Sequence, residues 1–307
     1  MNPKVSINLC CYNSEKYLRE TLDSIVGQTY KDWELIIIND GSSDATADII
    51  GEYKGKGLPL VYHHQENKGL GYSRTEALKR SHGEYIAFID HDDLWLPDKL
   101  ASQVNVLEDH PEVDFVYSNY FAMKGTRKTL ATRKRLPQGD VFERFLCHYP
   151  VAILTVMVRK KAIDRLDDFF DINLALAEEY DLFMRLLYRS QAIYLDKPTA
   201  VYRLHAGMNS FKSMGKWPDE IAYVLKKLGS LYPNLEHDYA SAISSCKLEM
   251  EYARAKMFME QGDLRSARRQ IKPYKFITLK YFILYLFSHL PVKFWNLVYL
   301  YLGKSPF

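Results

Sequence analysis

Apolar runs that end in polar residues, each followed by a stretch with helical spacing, set the pattern of the first third of the chain. Val5 to Cys11 reads as a strand, and Ser14 to Gln28 as a helix with Tyr17, Leu18, Leu22, Ile25 and Val26 on one face. Trp33 to Ile38 is a second strand, with a helix from Ser43 or Asp44 to about Tyr53. Leu60 to His64 is a third, leading through Asn67-Lys68-Gly69 to a helix that ends near Ser81, and Tyr85 to Ile89 is the fourth. Strands apolar on both faces and alternating with helices imply a mainly parallel, Rossmann-like α/β sheet covered on both sides. In such sheets the ligand sits at the carboxyl ends of the strands.

Further along, Asp114 to Phe121 and Val151 to Val158 read as strands, Lys160 to Leu166 as a short basic helix, and Ala177 to Leu187 as a helix with acids in its first turn. A strand begins near Thr199. Beyond Met214 the pattern turns helical; Leu248 to Gln261 with Gly262-Asp263-Leu264 and Ala267 faintly resembles one tetratricopeptide helix pair, which would not be stable alone. The expected organisation is an α/β domain over 1–212, divided into halves of about 1–110 and 111–212, then a small all-α region over 213–307.

Charge changes the picture only at the end of the chain. The formal net charge of +3 over 307 residues is nearly balanced, yet no Asp or Glu follows Asp263, while Arg265, Arg268, Arg269, Lys272, Lys275, Lys280, Lys293 and Lys304 do. The same tail carries Tyr274, Phe276, Tyr281, Phe282, Tyr285, Phe287, Phe294, Trp295, Tyr299 and Tyr301, divided by Pro291. Aromatics among lysines without acids fit helices lying in a membrane interface, a peripheral contact through 273–307; the alternative is an aromatic core face of the helical region. The basic run Lys124, Arg127, Lys128, Arg133, Lys134 and Arg135 is either a solvated loop or an acceptor-side flap that meets an anionic group. Cys10, Cys11, Cys147 and Cys246 lack zinc spacing and fit reduced cysteines of a cytoplasmic protein, which the tail would place at the inner face of the cell membrane. Met1-Asn2-Pro3-Lys4 leads straight into a strand, so no signal peptide is expected, and no stretch reaches the roughly 18 apolar residues of a membrane span.

The candidate chemistry concentrates at the ends of the strands. The fourth strand runs into Asp90-His91-Asp92-Asp93, three carboxylates in four residues. Alternate residues of an extended segment point the same way, so Asp90 and Asp92 can offer oxygens to one divalent ion, Mn2+ or Mg2+, whose remaining ligands would be phosphate oxygens. Asp98, after Pro97, fits a helix cap instead. Tyr12 and Asn13 follow the first strand, Asn39 and Asp40 the second, Glu66 and Asn67 the third; a tyrosine can stack on a base and a carboxylate can accept from a base N–H or a ribose hydroxyl. Capping alone is the competing account of Asn13, Asp40 and Asp44. No G-x-G-x-x-G follows the first strand and no P-loop motif occurs, which removes the main support for dinucleotide and P-loop NTPase classes.

Taken in order, Tyr12-Asn13, Asn39-Asp40-Gly41-Ser42-Ser43-Asp44, Asn67-Lys68-Gly69, Arg74-Thr75, Gly83-Glu84-Tyr85-Ile86 and Asp90-His91-Asp92-Asp93 resemble a family 2 glycosyltransferase of the GT-A fold over roughly residues 3 to 210. The resemblance implies that Tyr12, Asn13 and Asp40 hold the nucleotide, with Arg74 near the diphosphate, Asp90 and His91 near the ribose, and Asp92 on the metal in the manner of a DXD motif. Thr75 stands where the family usually has Asn. The acidic pair Glu178-Glu179 before Tyr180-Asp181-Leu182 matches the family's catalytic position, with Glu179 as the base and Glu178 its neighbour, and Tyr202-Arg203-Leu204-His205 matches the end of its catalytic domain, with His205 a further metal or diphosphate contact. What this implies is inverting transfer from a nucleotide-diphosphate sugar, a UDP-sugar first among them, to a hydroxyl of a cell-surface polysaccharide or lipid-linked glycan. A nucleotide-sugar-binding adaptor at the membrane is the rival from another class, but it needs no base. A sugar nucleotidyltransferase would need a glycine-rich basic loop where Cys10-Cys11-Tyr12-Asn13 stands, and nucleic-acid binding has only the 124–135 run in its favour.

Overall fold

The computed structural model describes residues 2–208, 214–291 and 294–295; the expectations for Lys293, Tyr299, Tyr301 and Lys304 fall outside them. Two compact units divide the chain, Met1–Phe211 and Lys212–Phe307.

The first unit is built on one sheet. Its strands are β1 (Val5–Cys11), β2 (Trp33–Asp40), β3 (Leu60–Gln65), β4 (Tyr85–Asp90), β5 (Leu94–Trp95), β6 (Phe115–Lys124), β7 (Arg127–Leu130), β8 (Met157–Arg159) and β9 (Ala192–Leu204). They lie in the order β3-β2-β1-β4-β8-β6-β9-β5, with β7 paired to β6. The helices are α1 (Leu18–Val26), α2 (Thr46–Lys54), α3 (Leu70–Lys79), α4 (Lys99–Asp109), α5 (Phe142–Cys147), α6 (Lys160–Ile163) and α7 (Glu178–Leu187). The first four strands are parallel, and their register aligns their carboxyl ends: Cys11 lies beside Asn39, Asp40 beside Gln65, and Asp90 beside Cys10. The second half is mixed, because β8 runs antiparallel to β4 and β6 while β9 runs parallel to β6.

Every side chain of β1 and β2 is buried, as strands covered on both faces require. One core face gathers Val5, Ile7, Leu9, Leu22, Ile37 and Leu100. On the other side Phe183 of α7 stands edge-on to Phe88 of β4 at 5.8 Å and Phe115 of β6 at 5.2 Å, which fixes α7 across the joint between the two halves. Asp181 accepts from Arg185 Nη2 at 2.7 Å within the same helix, an i,i+4 pair, and the guanidinium reaches on to Asp168.

Two elements depart from expectation. The apolar run from Val151 becomes a strand only at Met157, because Ile153–Thr155 coils into a 3-10 turn. Three successive carbonyls, two in that turn and one just after it, are claimed by buried side chains: Leu154 accepts from Trp95 Nε1 at 2.9 Å, Thr155 from Gln103 Nε2 at 2.7 Å and Val156 from Lys99 Nζ at 3.2 Å. Asp98 occupies the N-cap position of α4 but makes no capping bond through its side chain; it pairs instead with Lys197 at 3.3 Å.

The second unit is all helical: α8 (Trp217–Leu231), α9 (Leu235–Asp238), α10 (Ala240–Glu260), α11 (Leu264–Ile271) and α12 (Leu279–Phe287). Asp263 caps α11 by accepting from Ser266 N at 3.0 Å. Ala255, Met259, Ala267, Ile271, Tyr281, Leu284 and Trp295 form one core, so part of the aromatic tail packs inward. Among the described residues no helix is long and apolar enough to cross a membrane.

Candidate active site

Polar residues line the carboxyl ends of β1 to β4. At the first end Asn13 takes the left-handed conformation, φ 48°, which a short polar side chain tolerates. Its Oδ1 accepts from Ser43 N at 2.9 Å and its own N–H donates to Ser42 Oγ at 3.0 Å, so Asn13 ties the first loop to the second. Asp44 closes the same junction, accepting from Glu15 N at 3.0 Å and Thr46 N at 3.0 Å. Desolvation opposes ionisation of Asp44, but these donors together hold its carboxyl below the usual range. The ring of Tyr12 is half exposed beside this junction.

Asp40 is buried and organises the third loop. Its Oδ1 accepts from Lys68 N at 2.9 Å and Gln65 Nε2 at 2.7 Å, and its Oδ2 from Gly69 N at 2.9 Å. A carboxylate has about four acceptor sites, so these bonds leave room for one more donor. Gly41 supplies the tight passage behind it: φ is +75°, and a Cβ there would lie 2.8 Å from Asn67 N.

Arg74 is the hinge of the constellation. Only 5% exposed, it reaches from α3 to donate to Asp90 Oδ1 at the end of β4 and to Glu178 Oε1 at the start of α7, both at 2.7 Å. Burial works against its charge, but Asp90 and Glu178 outweigh it and secure the proton. Thr75 next to it accepts from Phe170 N at 3.2 Å, so it braces the loop before α7.

Glu179 follows Glu178 at the start of α7 and is partly accessible. Burial raises its carboxyl to about 8; Arg74 pulls the other way, the Glu178 and Asp90 charges add to the rise, and the Ile153 amide of the 3-10 turn supplies a bond to the charged form. The Tyr149 hydroxyl is buried with no hydrogen-bond partner among the described residues, its ring set edge-on to Tyr180 at 5.2 Å, and the Glu179 charge acts on it.

The three aspartates after β4 divide. Asp90 belongs to Arg74. Asp92 Oδ2 lies 2.8 Å from His205 Nε2, and His205 packs its ring 4.8 Å from Tyr17. Asp93 is buried and accepts from Arg203 N at 2.8 Å; burial first, then the Asp92 and Asp90 charges, push its carboxyl well above the usual range. Arg203 also donates to the Asp92 carbonyl at 2.8 Å and lies 4.5 Å over the Tyr17 ring. His91 Nδ1 is buried with no hydrogen-bond partner among the described residues.

The structure therefore brings Arg74, Asp90, Glu178 and Glu179 into one network and joins Asp92 to His205, while Tyr12, Asn13 and Asp40 form the neighbouring loop cluster. Arg203, Gln65, Tyr17 and Tyr149 are the site residues that residue-by-residue reasoning passed over. Arg203 and Tyr17 carried a signal, since one stands in Tyr202-Arg203-Leu204-His205 and the other just after Tyr12-Asn13. Glu66, expected at the end of β3, is exposed, and it is Gln65 that contacts Asp40.

Solved structures share this architecture. Staphylococcus aureus TarS 1–349 in complex with UDP-GlcNAc aligns with a TM-score of 0.69 and 21% identity over 89% of this chain and 80% of that one. The mannosyltransferase PcManGT from Pyrobaculum calidifontis, solved with GDP-Man and Mn2+, aligns with a TM-score of 0.64 and 17% identity over 98% of this chain and 85% of that one. The first unit has the GT-A glycosyltransferase fold, followed by a helical region. Residues 6–166 match Glycosyl transferase family 2, and the chain belongs to that family. An uncharacterized glycosyltransferase of Rickettsia prowazekii is 30% identical over 74% of this chain and 73% of its own length. TuaG of Bacillus subtilis, provisionally named as a teichuronic acid biosynthesis glycosyltransferase, is 29% identical over 70% and 83%. The alignment spans 62% of a Rickettsia typhi relative and 35% of one from Rickettsia conorii.

Proposed function

We propose that the protein transfers a sugar, with inversion, from a nucleotide-diphosphate sugar to a hydroxyl of a cell-surface polysaccharide or lipid-linked glycan at the inner face of the cell membrane. The observation that carries this reading is the buried Arg74 fork. It joins Asp90, on the nucleotide side, to Glu178 beside a second carboxyl, Glu179, whose proton affinity suits a general base.

In this reading Tyr12 stacks on the base, Asn13 shapes the loop around it, and Asp40 spends its remaining acceptor site on a base N–H. Asp90 and His91 face the ribose, and Arg74 lies by the diphosphate. Glu179 takes the acceptor's proton as the acceptor oxygen attacks the anomeric carbon from the face opposite the diphosphate; the bond to the diphosphate breaks and its oxygen leaves with the electron pair. Glu178, pinned by Arg74, keeps a negative charge beside Glu179 and so maintains its basicity. One displacement and one base suffice. UDP is the favoured carrier, from the family resemblance and TarS; PcManGT shows that GDP is compatible with the same fold.

The residues at hand fit a divalent ion. Asp92 Oδ2 and His205 Nε2, hydrogen-bonded to each other at 2.8 Å, would exchange that contact for the ion and offer it one carboxylate oxygen and one imidazole nitrogen. Asp90, engaged by Arg74, is the weaker member of the expected set. No group of three or more His, Cys, Asp or Glu among the described residues is placed to hold a metal ion, so any further ligands would be diphosphate oxygens and water, as Mg2+ and Mn2+ favour. When bound, the ion would neutralise charge developing on the leaving diphosphate.

Thermal melts of wild type and Asp92→Asn with UDP, GDP, dTDP and CMP, each with and without Mn2+, test the donor side. One nucleotide should raise the wild-type midpoint by several degrees, since a ligand at 100 times its Kd adds about 2.7 kcal/mol. The variant should lose that response. No shift with any nucleotide would sink the enzyme reading.

A further inference from the structure

The helical unit carries an apolar face that its own core does not use. On α12, Tyr281 and Leu284 point inward against Ala255, Met259, Ala267 and Ile271. On the outside, Phe276, Leu279, Ile283, Leu286 and Leu290 recur at steps of three, four, three and four residues, the spacing of one helix face continued into the turns at either end. All five are exposed, Phe276 by 80% and Leu279 by 71%. A helix apolar on both sides is a core helix or one that lies against a second apolar phase, and among the described residues only one side has a core.

We propose that this outer face docks in the plane of an anionic lipid surface. Nine residues of helix make about 14 Å, under half the hydrocarbon thickness, so the helix lies in the interface and does not cross it. The charges fit such a surface. From Leu264 to Leu290 the chain has no Asp or Glu. Lys272 is exposed, and Lys275 holds its ammonium 4.8 Å from the Phe276 ring and 4.9 Å from that of Tyr285, a cation at the rim of the apolar stripe, where headgroup phosphates would lie. Lys280 is taken by Glu249 of α10 and adds little. A second copy of the chain is the less suitable occupant, because a two-fold contact through this stripe would bring the same unopposed lysines together across the interface. The assignment extends the membrane-held acceptor of the proposed reaction but stands on the helical unit alone.

Flotation of the full chain with vesicles of phosphatidylcholine, and with equimolar phosphatidylcholine and phosphatidylglycerol, provides the test. Wild type should bind the anionic vesicles more tightly, and added salt should weaken that preference. Leu279→Glu with Leu286→Glu should lower the apparent affinity at least about tenfold. Phe276→Ser, at a side chain almost wholly in solvent, should weaken binding without touching the fold, and Lys272→Gln with Lys275→Gln should erase the anionic preference while sparing residual binding to neutral vesicles. Melting midpoints confirm that each variant is folded. Wild type that floats with neither vesicle, or a folded double glutamate variant that floats as well as wild type, overturns the proposal. So does a wild-type dimer by light scattering that the double variant converts to monomer with no lipid binding in either. The nucleotide-dependent melting shift reports separately on the catalytic unit, so its loss in wild type would count against glycosyl transfer and leave lipid docking standing.

Discussion

Replacing Glu179 by Gln removes a proton acceptor while keeping its shape. Burial and two neighbouring carboxylates raise its carboxyl from the usual 4.5 to about 8. At 1.36 kcal/mol per pH unit the rise corresponds to an upper bound of about 5 kcal/mol of differential interaction, reduced by the partial exposure of the side chain. Two measurements draw on that one quantity. For turnover, a base of this strength is worth at least about 100-fold, so Glu179→Gln should lower kcat by that much with donor binding near normal. In wild type kcat/KM should rise with pH along an acid limb near 8. For stability, the folded-state carboxyl keeps its proton to higher pH than the unfolded one, so stability from this group is full below about 4.5 and is lost as pH rises through about 8. The Gln variant has no such dependence. Urea midpoints taken at pH 5 and pH 9 should therefore show the variant gaining on wild type by a few kcal/mol at the higher pH. A wild-type-minus-variant difference that stays flat across that window refutes the raised carboxyl, and retained turnover moves the base to Glu178 or removes it.

Arg74→Lys should lower turnover at least about tenfold and stability by roughly 1–3 kcal/mol, since a single ammonium cannot reproduce a fork that binds Asp90 and Glu178 at once; steady-state kinetics and urea titration check it. Lys99 is wholly buried, bonded to the Val156 carbonyl and 4.1 Å over the Trp95 ring, and burial pulls its ammonium well below the usual 10.5. Lys99→Met should thus stabilise the fold near pH 6, where unfolding regains a proton, with the advantage shrinking as pH approaches 10.5; a lower urea midpoint for the variant at pH 6 would contradict this. Gly41→Ala should cost about 1–2 kcal/mol for the left-handed backbone alone and should weaken nucleotide-dependent stabilisation in a thermal melt, because the new Cβ pushes on Asn67 beside the Asp40 loop.

The parallel half was legible because its physics is local. β1, β2 and β4 are largely apolar runs too short for a helix, each of β1 to β3 leads through a polar end into a helix, and the right-handed crossover leaves few ways to assemble them. The mixed half was not. Nothing near Val151 shows that its first residues turn into a 3-10 segment, because the donors that claim those carbonyls come from Trp95, Lys99 and Gln103, some fifty residues earlier. An apolar run cannot announce a partner that far away, so a strand was the natural inference. The inward packing of Tyr281 and Trp295 was hidden for the same reason, since periodicity marks an apolar face without saying what covers it.

The acidic cluster shows how much a motif leaves open even when it is recognised. In the sequence, Asp90 and Asp92 are the pair expected to share one cation, and Asp93 is a third carboxylate beside them. In the structure each has a different cationic or donor partner drawn from a different part of the chain: Arg74 of α3 for Asp90, His205 after β9 for Asp92, and the Arg203 amide of β9 for Asp93. Burial, with the Asp92 and Asp90 charges beside it, pushes the Asp93 carboxyl upward, which relieves the like-charge repulsion that three ionised neighbours would suffer. That division leaves Asp92 at the partly accessible edge, beside His205. It also ties the end of β4 to β9 and, through Arg74, to α7, so the residues assigned to the donor and to the base are positioned by one connected set of hydrogen bonds.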